Sequence, residues 1–87
     1  MDYYDIQWKK SVEKDLRNID PHQIPRIIKT VELLSKNPFP LQYRKLRDTE
    51  RMYRIRFGEY RVIYEVDTKM KIITIYHIRH RKDVYRK

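Results

Sequence analysis

The sequence has 87 residues and no cysteine, which suits a single domain (residues 1–87) with one modest core and excludes a disulfide framework or a thiolate metal site. Its apolar stretches are far shorter than a membrane span, and no apolar run follows Met1 and Asp2, so we expect neither a membrane partner nor a signal peptide. A small domain without disulfides fits a reducing compartment, so we expect a cytoplasmic protein.

The positive charge is concentrated in the second half of the chain. The formal net charge is +9, and residues 1–40 contribute +1 of it while residues 41–87 contribute +8. Charge that served solubility alone would be spread more evenly. This asymmetry is typical of a face that binds a polyanion, and RNA is the polyanion that we expect.

The first half predicts a short strand and a helix. Residues 3–8 are rich in aromatic side chains and read as a strand. Residues 9–19 carry Val12, Leu16 and Ile19 at helical spacing, which predicts a helix with one narrow apolar stripe.

A second helix is predicted after Asp20. Asp20 suits the N-cap and Pro21 the first helical position, while Pro25 is compatible with a start one turn later. One face of this helix is apolar and consists of Ile24, Ile27, Ile28, Val31 and Leu34. The helix must end before Asn37 and Pro38, because proline cannot continue it.

The second half has the two-residue period of β-strands. Strands are predicted at residues 51–57, 60–66 and 71–78, with a weaker one near residues 44–48. Polar turns at residues 58–59 and 67–70 separate them, and residues 81–87 could form a final helical turn. The predicted fold is α+β, in the order β-α-α-β-β-β-β, with an antiparallel sheet packed on a helical hairpin.

Gly58 and Glu59 predict a tight two-residue turn that sets the hairpin register. Phe57 then pairs with Tyr60, and every second residue faces the helices. The opposite face presents Arg54, Arg56 and Arg61. Like charges opposite one another destabilise a sheet, so this cluster favours an anion site over a merely solvated face.

The register of the last strand depends on the second turn. If Val66 pairs with Lys71, Arg61 lies opposite Tyr76, and Tyr76, Ile78 and His80 share the basic side. Ile73 and Ile75 then face the core, as does His77. Residues 79–86 beyond this strand are a solvated tail, a core anchor through Tyr85, or part of a functional site.

These residues favour metal-free chemistry on RNA. The three histidines lack ligand-like spacing, and the single glycine excludes a glycine-rich phosphate loop, so we expect neither a metal nor a cofactor. A ribose 2′-OH that attacks its neighbouring phosphate needs cations and proton-transfer groups. Arg54, Arg56 and Arg61 can supply the cations. The groups available for proton transfer and further charge stabilisation are Arg79, His80, Arg81 and Tyr85.

Several motifs resemble the RelE/ParE toxin superfamily. They are Lys45-Leu46-Arg47, Tyr53-Arg54-Ile55-Arg56, the run Gly58-Glu59-Tyr60-Arg61-Val62-Ile63-Tyr64-Glu65-Val66, and His80-Arg81-Lys82-Asp83-Val84-Tyr85. The resemblance spans almost the whole chain. It implies a RelE-like fold and a toxin of a toxin–antitoxin pair. RelE-like members cut mRNA in the ribosomal A site without metal, and a RelB-like antitoxin restrains them.

The resemblance also implies site residues. The family's catalytic positions fall on Arg54, Arg56, Arg61, Arg79 and Tyr85, and His80 joins them because related nucleases use a C-terminal histidine. RelE has lysines where Arg54 and Arg56 stand, and arginine keeps the charge but is a poor proton carrier. The residues expected to bind RNA around this site are Arg47, Arg51, Tyr76, Arg81 and Lys82.

Two alternatives remain at this point. A ParE-like toxin would inhibit DNA gyrase without cutting RNA, and a catalytically inactive module would only bind its antitoxin. The strip from Arg79 to Tyr85 favours the nuclease, because ParE-like toxins tend to lack that catalytic end. A shared fold does not decide between these functions.

Overall fold

A computed structural model describes residues 3–40, 43–46 and 51–80. Its elements are β1 (Asp5–Trp8), α1 (Lys10–Arg17), α2 (Ile24–Leu33), β2 (Arg44–Lys45), β3 (Met52–Phe57), β4 (Tyr60–Asp67) and β5 (Ile72–His80). The predicted α+β order is confirmed. Arg47, Arg81, Lys82, Tyr85 and the expected final helical turn lie outside the described residues.

The strands form one sheet in the order β1-β5-β4-β3-β2. The pairs β2–β3, β3–β4 and β4–β5 are antiparallel, as predicted, whereas β1 runs parallel to β5, with Asp5 opposite Ile72 and Trp8 opposite Ile75. The sheet is therefore mixed. Tight hairpins force only the strands that they join to be antiparallel, whereas two helices and three strands separate β1 from β5 along the chain.

The core lies between the two helices and one face of the sheet. The predicted stripe of α1 is confirmed, because Val12 and Ile19 are buried and Leu16 packs against the core. The apolar face of α2 is buried most completely at Ile27 and Val31. The sheet contributes buried side chains from three strands: Ile55, Val62, Tyr64, Val66, Ile73, Ile75 and Ile78.

The start of α2 differs from the prediction. The helix begins at Ile24, with Pro25 in its first turn, so the Asp20 N-cap is wrong and the later start that Pro25 allows is the one observed. Asp20 instead closes the preceding turn, where its Oδ1 accepts a hydrogen bond from the His22 backbone N–H at 3.0 Å. That bond is the main reason that the pKa of Asp20 lies below its usual value.

The β3–β4 hairpin has the predicted register. Phe57 pairs with Tyr60, Arg56 with Arg61 and Tyr53 with Tyr64. Gly58 has a φ of 56°, in the region that favours glycine, so the tight turn depends on this residue.

The β4–β5 register differs from the prediction. Asp67 Oδ1 accepts hydrogen bonds from the backbone N–H groups of Lys69 and Met70, and Asp67 pairs with Ile72, so the turn lies one residue later than predicted and Val66 does not pair with Lys71. Further along, Ile63 pairs with His77 and Tyr64 with Ile75, so β5 carries one extra residue, Tyr76. An extra residue of this kind reverses which side chains face the core.

Because of the shifted turn and the bulge, four predicted placements on β5 are wrong. Arg61 lies opposite Arg79, so the expected pairing with Tyr76 is wrong. Ile78 is 1% exposed and belongs to the core, and His80 pairs with Tyr60, whose ring packs on that core, so neither lies on the basic side. His77 lies on the basic side instead of facing the core. Ile73 and Ile75 face the core as predicted.

Candidate functional site

A cleft of about 310 Å³ lies on the sheet face away from the core, and its described lining consists of Arg44, Arg54, Arg56 and Arg61. Three adjacent strands supply these side chains. Arginines occupy two alternate positions of β3, and the neighbouring strands β2 and β4 each place one arginine opposite them. Arg44 pairs with Arg54, and Arg56 pairs with Arg61. Among the described residues that line the cleft, none is acidic.

Arg61 is the most buried side chain of this cleft, with 8% of the residue exposed, whereas Arg56 is exposed. Water and salt screen a buried charge less than an exposed one, so an anion that reaches Arg61 is attracted more strongly. An anion would also reduce the repulsion between facing arginines. The cleft is therefore suited to a phosphate group, which accepts hydrogen bonds from planar guanidinium groups.

Arg79 continues the basic row onto β5. Arg56, Arg61 and Arg79 occupy matched positions on three neighbouring strands. The side chain of Arg79 approaches the His77 ring, with Nη2 at 3.3 Å from Nδ1 and 3.4 Å from Nε2. The structure thus brings together four of the predicted catalytic residues, namely Arg54, Arg56, Arg61 and Arg79.

His80 does not join this row. Its ring packs edge-on against Tyr60, with 5.4 Å between the ring centroids. It lines a separate pocket of about 170 Å³ beside α1, together with Asp15, Asn18, Ile19, Ile78 and Arg79. Its catalytic role stays a prediction, as does that of Tyr85.

Arg51 and Tyr76 also lie outside the described lining of the cleft. Arg51 is at the other end of β3, where its guanidinium is 3.3 Å from the carboxylate of Asp67. The Tyr76 hydroxyl donates to Glu65 at 3.4 Å. Burial raises the pKa of Tyr76, and the charge of Glu65 adds to this effect, so this hydroxyl stays protonated at neutral pH.

No group of three or more histidine, cysteine or acidic side chains among the described residues is arranged to hold a metal ion. No helix in the described ranges is long and apolar enough to cross a membrane.

A family model described as the ParE toxin of type II toxin–antitoxin systems, parDE, matches residues 6–85. The chain belongs to this family. The match includes the four arginines of the cleft, Arg79, and the residues from 81 to 85. The resemblance to the RelE/ParE superfamily is therefore confirmed.

Relatives of this toxin-family chain carry RelE-type names. A candidate toxin of Methanocaldococcus jannaschii, RelE1, is 30% identical over 95% of this chain and 96% of its own length. The RelE toxin in a RelE–RelB complex from Pyrococcus horikoshii is 32% identical, with a TM-score of 0.78 over 91% of this chain and 96% of that one. Isolated RelE from Escherichia coli, at 18% identity and a TM-score of 0.74, shares the fold, over 88% of this chain and 83% of its own.

Sequence reasoning missed three residues of the site in this RelE/ParE-type chain. Arg44 lies on a strand of only two residues, too short for its alternation to be recognised, and its pairing with Arg54 is evident only from the structure. The sequence predicts that His77 faces the core, and this is wrong because the bulge at Tyr76 has no sequence signature. Asp15, which contacts His77, lies 62 positions earlier, and no local pattern connects the two.

Proposed function

We propose that the chain is the toxin of a type II toxin–antitoxin system and acts as a ribosome-dependent, metal-independent endoribonuclease. It cuts mRNA in the A site and thereby inhibits translation. The observation that carries the proposal is the arginine cleft, with the buried Arg61 next to Arg56 and opposite Arg79.

The proposed reaction is an in-line attack of a ribose 2′-oxygen on the adjacent phosphorus. The bond from the 2′-oxygen to phosphorus forms while the bond to the 5′-oxygen breaks, which leaves a 2′,3′-cyclic phosphate and a 5′-hydroxyl. A base accepts the 2′-OH proton and an acid protonates the leaving oxygen. Negative charge grows on the phosphoryl oxygens, where Arg54, Arg56 and Arg61 would stabilise it.

Proton transfer is the role proposed for His80 and Tyr85. Histidine and tyrosine side chains can each donate or accept a proton. Arginine holds its proton too tightly to replace them. Arg79 and Arg81 would add positive charge at the same edge of the sheet.

The ribosome would position the message. The cleft is small and its described lining consists of arginines, which bind phosphates along any sequence. Arg47, Arg51, Tyr76, Arg81 and Lys82 are proposed to hold RNA around it. Another molecule must therefore place one codon at the cleft, and the ribosomal A site would do so.

A RelB-like antitoxin is the proposed partner of the toxin in the cytoplasm. The P. horikoshii and Methanococcus jannaschii relatives were solved as RelE–RelB complexes. An antitoxin segment with acidic side chains would neutralise the cleft and exclude the phosphates of mRNA.

Gyrase inhibition is the second candidate, because the matching family model is described by ParE. A module that binds its antitoxin without any catalytic activity is the third. Neither alternative function includes phosphate chemistry, so neither explains why a buried arginine lies next to two further arginines.

The test is a toeprinting assay on translating ribosomes, run beside a gyrase supercoiling assay. We expect cuts within codons in the A site and unaffected supercoiling. Arg56→Ala should cut at least tenfold more slowly, whereas Arg26→Ala, which removes the same charge from the exposed part of α2, should cut normally. Intact message with inhibited supercoiling would establish the gyrase alternative, and neither effect would leave the inactive module.

A further inference from the structure

Helix α1 covers the part of β5 that β1 leaves open. Strand β1 pairs with β5 only from Ile72 to Ile75, and the chain then turns into α1. Two α1 side chains take over the pairing with the β5 backbone. Ser11 Oγ donates to the Tyr76 carbonyl, and Asp15 Oδ2 accepts from the Ile78 N–H at 3.0 Å.

Asp15 has a second contact that backbone pairing does not require. The same Oδ2 is 3.0 Å from Nδ1 of His77, and both side chains are largely shielded from water, with 17% of Asp15 and 30% of His77 exposed. A carboxylate oxygen can only accept here, so Nδ1 must carry the proton. In the neutral ring, Nε2 is then left as an acceptor.

Arg79 supplies the donor for that acceptor. Its Nη2 lies 3.3 Å from Nδ1 and 3.4 Å from Nε2 of His77, and only Nε2 can accept from it while Nδ1 donates to Asp15. The imidazole therefore lies between the carboxylate of Asp15 and the guanidinium of Arg79, and Asp15 fixes the tautomer that leaves Nε2 as the acceptor.

Arg79 needs such support because of what it faces. It lies directly opposite Arg61, and repulsion between the two cations would drive the more mobile side chain toward solvent. The acceptor of His77, reinforced by the charge of Asp15, opposes that movement.

We propose that Asp15 and His77 are positioning residues that hold Arg79 beside Arg61 for cleavage of the RNA phosphodiester. The inference rests on the proposed nuclease function and extends it to a residue of α1. Neither Asp15 nor His77 touches the substrate. They fix the direction of one guanidinium, whose misplacement would slow the reaction without weakening the binding of toxin to the ribosome.

A purely structural role would have a different signature. If the Asp15–His77 contact only fastened α1 to β5, its loss would lower thermal stability and spare the cleavage rate of the protein that remains folded. The test must therefore separate the melting temperature from the rate at saturating toxin.

Two variants of His77 remove or restore its hydrogen bonds to Asp15 and Arg79. His77→Phe keeps a ring of similar size but has neither donor nor acceptor. His77→Gln restores one donor for Asp15 and one acceptor for Arg79. The exposed Asp20–His22 pair, with 3.2 Å between Oδ1 and Nδ1, provides a matched control in which His22→Phe makes the same chemical change away from the site.

The experiment measures cleavage of an A-site codon on programmed ribosomes with full-length toxin in excess. We expect His77→Phe to lower the saturated rate about tenfold or more with an unchanged half-saturating concentration, and His77→Gln to recover most of the rate. His22→Phe should match the wild type. Wild-type cleavage with an equally active His77→Phe would overturn this inference alone, as would a His77→Gln variant as slow as His77→Phe. A wild-type protein that cuts no message would overturn the proposed function and this role with it.

Nitrogen NMR of the His77 ring in the wild-type protein provides a readout that needs no variant. The bonds to Asp15 and Arg79 require the neutral tautomer with the proton on Nδ1. A ring that carries its proton on Nε2 near neutral pH would contradict the proposed connection even if His77→Phe failed to fold.

Discussion

Arg61 of β4 and Arg79 of β5 lie directly opposite one another, although like charges at such positions destabilise a sheet. Arg56 occupies the matching position on β3, so three cations form one row across the sheet. An arrangement that is unfavourable for folding is understandable if it serves a ligand that carries the opposite charge. The predictions below test this interpretation.

The first prediction concerns charge at Arg54. Arg54→Lys should keep most of the cleavage activity if the residue acts through its charge alone. Arg54→Ala should lose about a hundredfold, because a donor aimed at the developing charge is removed. Single-turnover rates on programmed ribosomes measure both. A lysine variant as slow as the alanine variant would show that the planar guanidinium itself is required.

The second prediction concerns anion binding without RNA. A ligand that binds only the folded state stabilises it, so inorganic phosphate should raise the melting temperature by several degrees at concentrations well above its dissociation constant. Sodium chloride at equal ionic strength controls for screening. Arg54→Ala should lose the rise and Arg26→Ala should retain it. Equal effects of phosphate and chloride would show that the cleft has no specific anion site.

The fold and the site were predictable wherever local chemistry set them. Gly58 determined the β3–β4 register, and with it the positions of Arg54, Arg56 and Arg61. The β5 register depends on hydrogen bonds that the Asp67 side chain accepts from Lys69 and Met70, and on a bulge at Tyr76 that has no sequence signature. The parallel pairing of β1 likewise depends on a partner far away in the chain.

The third prediction concerns the core. Tyr64 is fully buried, and its hydroxyl donates to the Pro38 carbonyl at 2.8 Å. Tyr64→Phe would leave that carbonyl without this donor and should lower the free energy of unfolding by about 1 kcal/mol. Urea denaturation measures the change, and Tyr43→Phe at a more exposed ring is the control. No change at Tyr64 would mean that another donor replaces the hydroxyl.

The same tyrosine predicts the alkaline limit of stability. Burial raises the pKa of Tyr64 above its ordinary value of 10.0. Above about pH 10 the unfolded chain loses this proton while the folded chain keeps it, so stability falls as the pH rises. In Tyr64→Phe this part of the decline should be absent. Parallel unfolding curves of the two proteins between about pH 9 and pH 11 would contradict the assignment.

The fourth prediction concerns acid and the β4–β5 turn. The Met70 backbone N–H lowers the pKa of Asp67 below 3.8, and the Lys69 N–H and Arg51 contribute. A folded pKa below the unfolded one stabilises the protein above the unfolded value, and this contribution disappears as the pH falls through the folded value. Asp67→Asn should therefore have a lower urea midpoint than the wild type near neutral pH, and the two midpoints should converge near pH 3. Glu32→Gln, on the exposed face of α2, should show no such convergence.

The central claim is that RNA is cut in the ribosomal A site by its own 2′-OH at the arginine cleft. The most direct measurement compares two messages on programmed ribosomes, one entirely RNA and one with a single 2′-deoxynucleotide at the scissile position. We predict that the first is cut to a 2′,3′-cyclic phosphate and a 5′-hydroxyl, and that the second stays intact at that position. Equal cutting of both messages, or cutting of neither, would contradict the account.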